Sequence, residues 1–290
     1  MSTTEKLIRK KLFQNEFLTQ KLARFIGLPA IFFQNAPDDK SSGWDDMQYP
    51  RLVFVTDSAD DSKRDYKKSL SVDIMCSAVN VMPEELEPHI KNALSGVFFT
   101  PEDGETFSAK WKSSQIFRDT VNDVLVLGMT VSFDIYEYPL QETSNPDPII
   151  SICNYAESWD NQLTVIGMSE LPGIFVPERN KPAVWFSRGN KSISRQTNTV
   201  VWMDDEIIVH FFAPKLQDRM EWLEQFSQSI ALTGELILSD KSPMFVKQIK
   251  GNTDGDEISG QIAISVQYGL LRRPAYAHTM ISTKIKWGGN

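Results

Sequence analysis

Leu127-Gly128-Met129-Thr130-Val131-Ser132-Phe133-Asp134-Ile135 decides how the chain is read. Large apolar side chains stand at 127, 129, 131, 133 and 135, with Gly, Thr, Ser and Asp between them. A period of two sends alternate side chains to opposite faces of an extended backbone, so this stretch reads as a strand buried on one face. Half-covered strands belong to antiparallel sheets with helices on one side; the strands of buried parallel sheets are apolar throughout. The same spacing returns at Ile262, Ile264, Val266, Tyr268 and Leu270, and each stretch runs on to a proline, Pro139 and Pro274.

The recurrence extends backward from both strands. Leu28-Pro29-Ala30-Ile31-Phe32 matches Leu171-Pro172-Gly173-Ile174-Phe175, and Pro50-Arg51-Leu52-Val53-Phe54 matches Pro182-Ala183-Val184-Trp185-Phe186. Val72-Asp73-Ile74-Met75 pairs with Ile207-Ile208-Val209-His210. Met82-Pro83 and Ala213-Pro214 each precede an amphipathic stretch, with Pro placed where a helix start tolerates it. The first of these puts Leu86, Ile90, Leu94 and Val97 on one face; the second puts Leu216, Met220, Leu223, Phe226 and Ile230 there. An opening helix is expected over 5–26, capped by Thr4 and stopped by Gly27-Leu28-Pro29, with a less regular counterpart over 148–163. The proline-rich SNPDP at 144–148 reads as a linker.

The expectation is therefore an α+β protein of two tandem related domains, 1–143 and 144–290, with 275–290 a tail beyond the repeat. Each domain is expected to be a mainly antiparallel sheet with two helices on one face, in the order helix–strand–strand–strand–helix–strand–strand.

Composition narrows the function. The chain has 290 residues, 41% hydrophobic and 23% charged, ordinary values for a protein with a packed core. Its formal net charge of −8 argues against general nucleic-acid binding, which draws affinity from Lys and Arg neutralising phosphates. The acid is uneven: residues 1–145 hold 22 Asp and Glu against 16 Lys and Arg, and 146–290 hold 16 against 14. No stretch approaches the ~18 apolar residues of a membrane span, and the N-terminus lacks the apolar core of a signal peptide. Cys76 and Cys153, far apart and in no metal or redox spacing, read as buried free thiols in a reducing compartment. The sequon at Asn190 then has no consequence.

The chain offers little that reads as catalysis. His89 falls on the polar side of a predicted helix, His210 lies between Val209 and Phe211 in a predicted strand as a structural histidine would, and His278 is in the tail. No His-Glu-x-x-His, Cys-x-x-Cys, Gly-x-Ser-x-Gly or phosphate-loop spacing is present. Asn252-Thr253-Asp254-Gly255-Asp256-Glu257 lacks the ligand spacing of a calcium loop and reads as a tight turn between the last two strands. No catalytic, metal or cofactor-binding residue is expected.

The order of these pieces resembles the tail terminator, or tail-completion, proteins of long-tailed bacteriophages (minor tail protein U-like). The resemblance is carried by the leading helix, the loop Gln34-Asn35-Ala36-Pro37-Asp38-Asp39, the Tyr49-Pro50 strand entry, the long alternating strand and the closing Phe133-Asp134-Ile135-Tyr136. It covers about 7–139 and, less closely, about 148–274. It implies a ring, usually sixfold, that caps the head-proximal end of the tail tube. Such a ring stops tube polymerisation and offers a surface to a head connector or collar protein; phage-derived contractile particles carry similar rings. The implied partners are copies of the chain itself, the tail tube protein and the connector or collar, with DNA passing unread through the lumen and no membrane. The implied location is the virion tail, assembled in the host bacterial cytoplasm. Members of the family are single domains, whereas this chain is doubled. Its unequal loops favour six chains over three.

The segments 56–68 and 188–198 link adjacent strands and are candidates to reach neighbours. Asp57, Asp60, Asp61, Arg64 and Asp65 lie in the first, where acids lining a lumen would repel DNA phosphates; Lys63, Arg64, Lys67 and Lys68 in the same segment favour the alternative, a solvated loop of mixed charge. Trp44, in the longer loop of the first repeat, and Trp287, in the tail, are candidate interface residues, because exposed Trp is favoured at such contacts. The competing readings are another tail ring, at the head–tail joint or baseplate, and an enzyme with a pocket between the domains.

Overall fold

A computed structural model describes residues 2–61, 64–77, 81–121, 124–252 and 255–272, apart from the side chains of 59–61 and 64–67. The alternating segments form the two sheets of an α+β fold.

The first half runs α1 (Thr3–Phe13), α2 (Glu16–Lys21), the two-residue strands β1 (Arg24–Phe25) and β2 (Leu28–Pro29), β3 (Ile31–Phe33), β4 (Arg51–Asp61), β5 (Arg64–Ser77), α3 (Pro83–Leu94), β6 (Phe98–Phe99), β7 (Phe107–Val121) and β8 (Val124–Glu137). The second runs α4 (Pro148–Trp159), β9 (Thr164–Val165), β10 (Ile174–Phe175), β11 (Ala183–Gln196), β12 (Val200–Phe212), α5 (Leu216–Thr233), β13 (Glu235–Ile237), β14 (Pro243–Gly251) and β15 (Ile262–Leu271).

One sheet has the order β10-β6-β7-β8-β5-β4-β3 and the other β13-β14-β15-β12-β11-β9. Without β10 the orders coincide: a short strand lies parallel beside the first strand of a long hairpin, and the last hairpin folds back antiparallel beside it. Alternation sets the register. Phe54 faces Val72, Val72 faces Val131 and Leu70 faces Phe133, all buried on one face. Ile8 and Leu12 of α1 and Leu86, Ile90 and Leu94 of α3 complete that core. In the second sheet Phe186 faces Val209 and Ile207 faces Ile264, beneath Ile152 of α4 and Phe226 and Ile230 of α5. Burying each such side chain contributes roughly 1.5–3 kcal/mol.

Several details depart from the sequence reading. The opening helix breaks at Asn15, whose side chain accepts from Leu18 N and caps α2. Its first cap is Ser2, not Thr4, and helix ends at Lys21, before Gly27. The apolar spacing hid the break, because Leu12, Leu18 and Leu22 are buried on both sides of it. The fourth helix stops at Trp159 instead of 163. On α5 only Leu223, Phe226 and Ile230 of the expected stripe are buried; Leu216 and Met220 are exposed.

The largest departure concerns Ile174-Phe175. The counterpart of Ile31–Phe33, which lies parallel to β4, is Thr164-Val165, which lies parallel to β11. Ile174-Phe175 instead joins the first sheet, antiparallel to Phe98-Phe99. The Leu-Pro motif before each segment marks a similar entry but a different destination.

Candidate functional site

Two features can carry function: the junction between the sheets and the strand edges left open around them.

The junction is built by β10. Ile174 pairs with Phe99 and Phe175 with Phe98, and Thr100 N donates to Gly173 O at 3.0 Å. Behind this graft lies an aromatic cluster. Phe98 stands edge-on to Tyr138 at 5.3 Å and to Phe212 at 4.9 Å, and Tyr138 meets Trp185 at 5.3 Å. Ile166, Phe175 and Ala183 fill the remainder. The buried Tyr138 hydroxyl bonds Ser108 Oγ at 2.7 Å, and burial pushes its pKa up. Trp185 Nε1 donates to Pro139 O at 3.0 Å. An ion pair spans the halves: Lys110 Nζ meets Asp256 Oδ2 at 2.7 Å. Burial would raise the Asp256 pKa, but Lys110 and the N–H and hydroxyl groups of Ser259 hold it well below the usual carboxylate range.

Beside the cluster a cavity of about 680 Å³ is lined by Glu105, Tyr138, Trp185, Ser187, Arg188 and His210, among others. His210 is buried, with both ring nitrogens engaged: Nδ1 lies 3.1 Å from Glu257 O and Nε2 lies 2.8 Å from Ser187 Oγ. A carbonyl accepts only, so Nδ1 carries the proton and Nε2 accepts from the serine. Burial lowers the imidazole pKa, which favours this neutral form. Below it, Arg188 Nη2 reaches Asp147 Oδ2 at 2.5 Å and Nη1 reaches Asp205 Oδ2 at 2.9 Å. Asp147 also accepts from Thr143 N, Ser144 N and Ile149 N, tying the linker to the start of α4.

The edges are the second feature. Among the described residues, β7 pairs outward with β6 only at Phe107 and Ser108, so 110–121 presents open backbone apart from β8. Likewise β4 is covered by β3 only at Leu52–Phe54, β11 by β9 only at Ala183 and Val184, and β14 by β13 only at Pro243–Phe245. Side chains over 189–196 are exposed on both faces, and Ile116, Val124, Leu125 and Ile193 are exposed apolar residues on these hairpins.

The sequence-derived candidates fall on different ground. Trp44 is 8% exposed, turned in against Phe25 and Phe32, with Nε1 donating to Asp38 O at 3.0 Å. Arg51 stacks near it and bonds Asp39 Oδ1 at 2.5 Å. The surface of that loop is instead Asp45, Asp46 and Met47. Asp57 is exposed on β4. Asp60, Asp61, Arg64 and Asp65 belong to the β4–β5 hairpin by backbone, but their side chains lie outside the described residues, as does Trp287. The segments 56–68 and 188–198 are largely hairpin strand, not connecting loop. His89 stacks on Phe17 at 3.8 Å, and Cys76 and Cys153 are buried thiols with pKa values pushed up to about 12 by burial. Sequence reasoning missed the Ser187–His210 contact. The two lie on adjacent antiparallel strands, and only the register, Trp185 facing His210, brings them together.

Among the described residues no helix is long and apolar enough to cross a membrane, and no group of three or more His, Cys, Asp or Glu is placed to hold a metal ion. No protein-family model, curated protein or solved structure matches this chain, so its function has to be argued from the junction and the edges themselves.

Proposed function

We propose that this chain is a structural protein of a phage tail or phage-derived tail particle. It forms a ring that caps the head-proximal end of the tail tube, ends tube polymerisation and presents the surface to which a connector or collar attaches. The observation that supports this most is the set of open edges. Long strands that run past their covering partners are templates for pairing with another chain, and isolated proteins blunt them or hide them. Here they differ in charge. The open part of β4 contains Asp57, Asp60 and Asp61, whereas β7 contains Lys110, Lys112 and Arg118 against Asp119, with Lys110 and Lys112 paired to Asp256 and Asp134, β11 contains Lys191 and Arg195 beyond the paired Arg188, and β14 contains Lys247 and Lys250. Like edges repel and unlike edges attract, which favours head-to-tail contacts between different surfaces. Contacts of that kind close into rings when the rotation permits. The segment 56–68 is mixed in charge, with Asp57, Asp60, Asp61 and Asp65 against Lys63, Arg64, Lys67 and Lys68, so the passage of DNA through a lumen rests on the ring itself and not on an acidic lining.

Light scattering and negative-stain imaging of the purified protein, alone and with tail tube subunits, test the reading. The expected result is a ring of a fixed number of chains that binds one end of the tube and limits its length. A protein that stays monomeric and leaves tube length unchanged overturns it. Labelling in assembled tails separates a terminator from a baseplate or head–tail joining ring by the end it marks.

One observation favours a second reading, a hydrolase: a serine hydroxyl hydrogen-bonded to a buried imidazole on the wall of a cavity. The ring reading expects no covalent labelling of Ser187 by a fluorophosphonate probe. Stoichiometric labelling that is lost in Ser187→Ala and His210→Gln would move the assignment to the enzyme.

A further inference from the structure

The junction inside the chain is itself a head-to-tail contact, and its two halves have counterparts at the two ends of the molecule, neither covered by a further strand among the described residues. Inside, the β6–β7 end of the first sheet receives β10, which comes from the β9–β11 connection of the second half. Because the sheets share one strand order, β13–β14 stand where β6–β7 stand, and the β3–β4 connection, 34–50, stands where the β9–β11 connection stands. We propose that the β13–β14 end of one copy receives the 34–50 connection of a second copy, repeating the internal junction between chains. The proposal rests on the ring reading and deepens it. It makes both units consecutive members of one ring, the arrangement in which three chains supply six units, not the six-chain ring that the unequal loops suggest.

Three observations support this occupant over any other. The first is the lack, among the described residues, of a covering strand at an equivalent place, where Ser151 Oγ of α4 donates to Ile237 O at 2.7 Å. Phe98 on β6 is 1% exposed beneath β10, whereas Ile237 on β13 is 58% exposed and Leu232, at the end of α5, is 89% exposed. Among the described residues no strand pairs with the outer edge of β13. The second is an apolar match: Ile26 and Leu28, beside the 34–50 connection on the β1–β2 hairpin, are exposed to a similar degree. The third is charge. The first unit's end exposes Asp38, Asp45, Asp46 and Asp57 with Arg24 and Lys40. The second unit's end exposes Lys241, Lys247 and Lys250 with Glu235 and Asp240. The excess is acidic on one side and basic on the other, the same pairing of signs that Lys110 and Asp256 make inside the chain.

Cysteine cross-linking on the full chain tests the contact. Cys76 and Cys153 are buried, so mild oxidation reports only on introduced thiols. The double variant Ile237→Cys/Asp46→Cys is expected to give a ladder of covalent oligomers, and an equimolar mixture of the two single variants a covalent dimer and nothing larger. Lys247→Glu/Lys250→Glu is expected to weaken association about tenfold at low salt, and mixing it with Asp45→Lys/Asp46→Lys to restore part of the loss. All of these side chains are exposed, and unchanged thermal melting checks that each variant is folded. A wild type that forms oligomers, with no cross-link and no effect of charge reversal, overturns this contact and leaves the ring to other surfaces. A wild type that stays monomeric and gives no cross-link overturns both.

Discussion

Replacing Arg188 with alanine is expected to lower the stability of the protein by about 3–5 kcal/mol, the cost of stranding buried charge. The guanidinium forks between Asp147, 1% exposed at its side chain, and Asp205, 0% exposed. Its removal leaves two carboxylates close together and out of water. Lysine would keep the charge but not the planar fork, so Arg188→Lys should lose less. The loss should depend on pH. Burial pushes the Asp147 carboxyl up, but the N–H groups of Thr143, Ile149 and Ser144, with Arg188, overcome burial and hold it below its usual range. A carboxylate depressed in the folded state adds stability above its unfolded pKa of about 3.9 and loses it as pH falls through the folded value. Asp205, raised by burial against the pull of Arg188 and Lys191, and Asp147 both move up without the guanidinium, so protonation relieves the stranded charge and the deficit of the variant should shrink as the pH falls through the carboxylate range. Urea unfolding of the variant across acidic pH measures both effects. A variant within about 1 kcal/mol of wild type, with the same acid limb, would show that the fork does not hold these carboxylates.

Phe98→Ala is the second large effect, about 3–5 kcal/mol. The ring is fully buried and touches Tyr138, Phe175 and Phe212, so it belongs to neither half alone. Truncation opens a cavity in the cluster that joins the sheets. The loss should therefore appear as uncoupling as well as destabilisation: calorimetry should resolve one transition in the wild type and two in the variant. Ile116→Ala, on the open edge of β7, should stay within about 0.5 kcal/mol in the isolated chain. A single unshifted transition for Phe98→Ala would mean that the halves are held together elsewhere.

What could be read from residues alone follows the strength of their periodicity. Leu127–Ile135 and Ile262–Leu270 announce themselves because a half-buried strand must alternate, and the Pro83 helix start carries its own punctuation. Short strands carry no such signal. Thr164-Val165 is two residues long and has no period, so the repeat motif points instead to Ile174-Phe175, whose apolar pair and Leu-Pro entry match Ile31-Phe32. Leu216 and Met220 share the helical stripe of Leu223 and Phe226, yet spacing reports which face of a helix they occupy and not how far the sheet beneath extends. Trp44 shows the same limit at a site. A tryptophan in a polar loop can face a partner or its own domain, and here Phe25, Phe32 and Arg51 draw it inward. The Ser187–His210 contact and the Arg188 fork depend on strand register and on the linker's path, which sequence spacing does not encode.

The graft of β10 onto β6 has a consequence for synthesis. The first sheet has its long strands once Glu137 has been made, but its outermost strand ends at Phe175, thirty-eight residues later. At ~5–20 residues per second the ribosome takes seconds to cover that distance. Throughout that interval the nascent chain holds Phe98 and Phe99 at an uncovered border. Folding of the first half is therefore timed by translation of the second, and a pause between residues 137 and 175 would prolong the period in which that border can stick to the wrong chain.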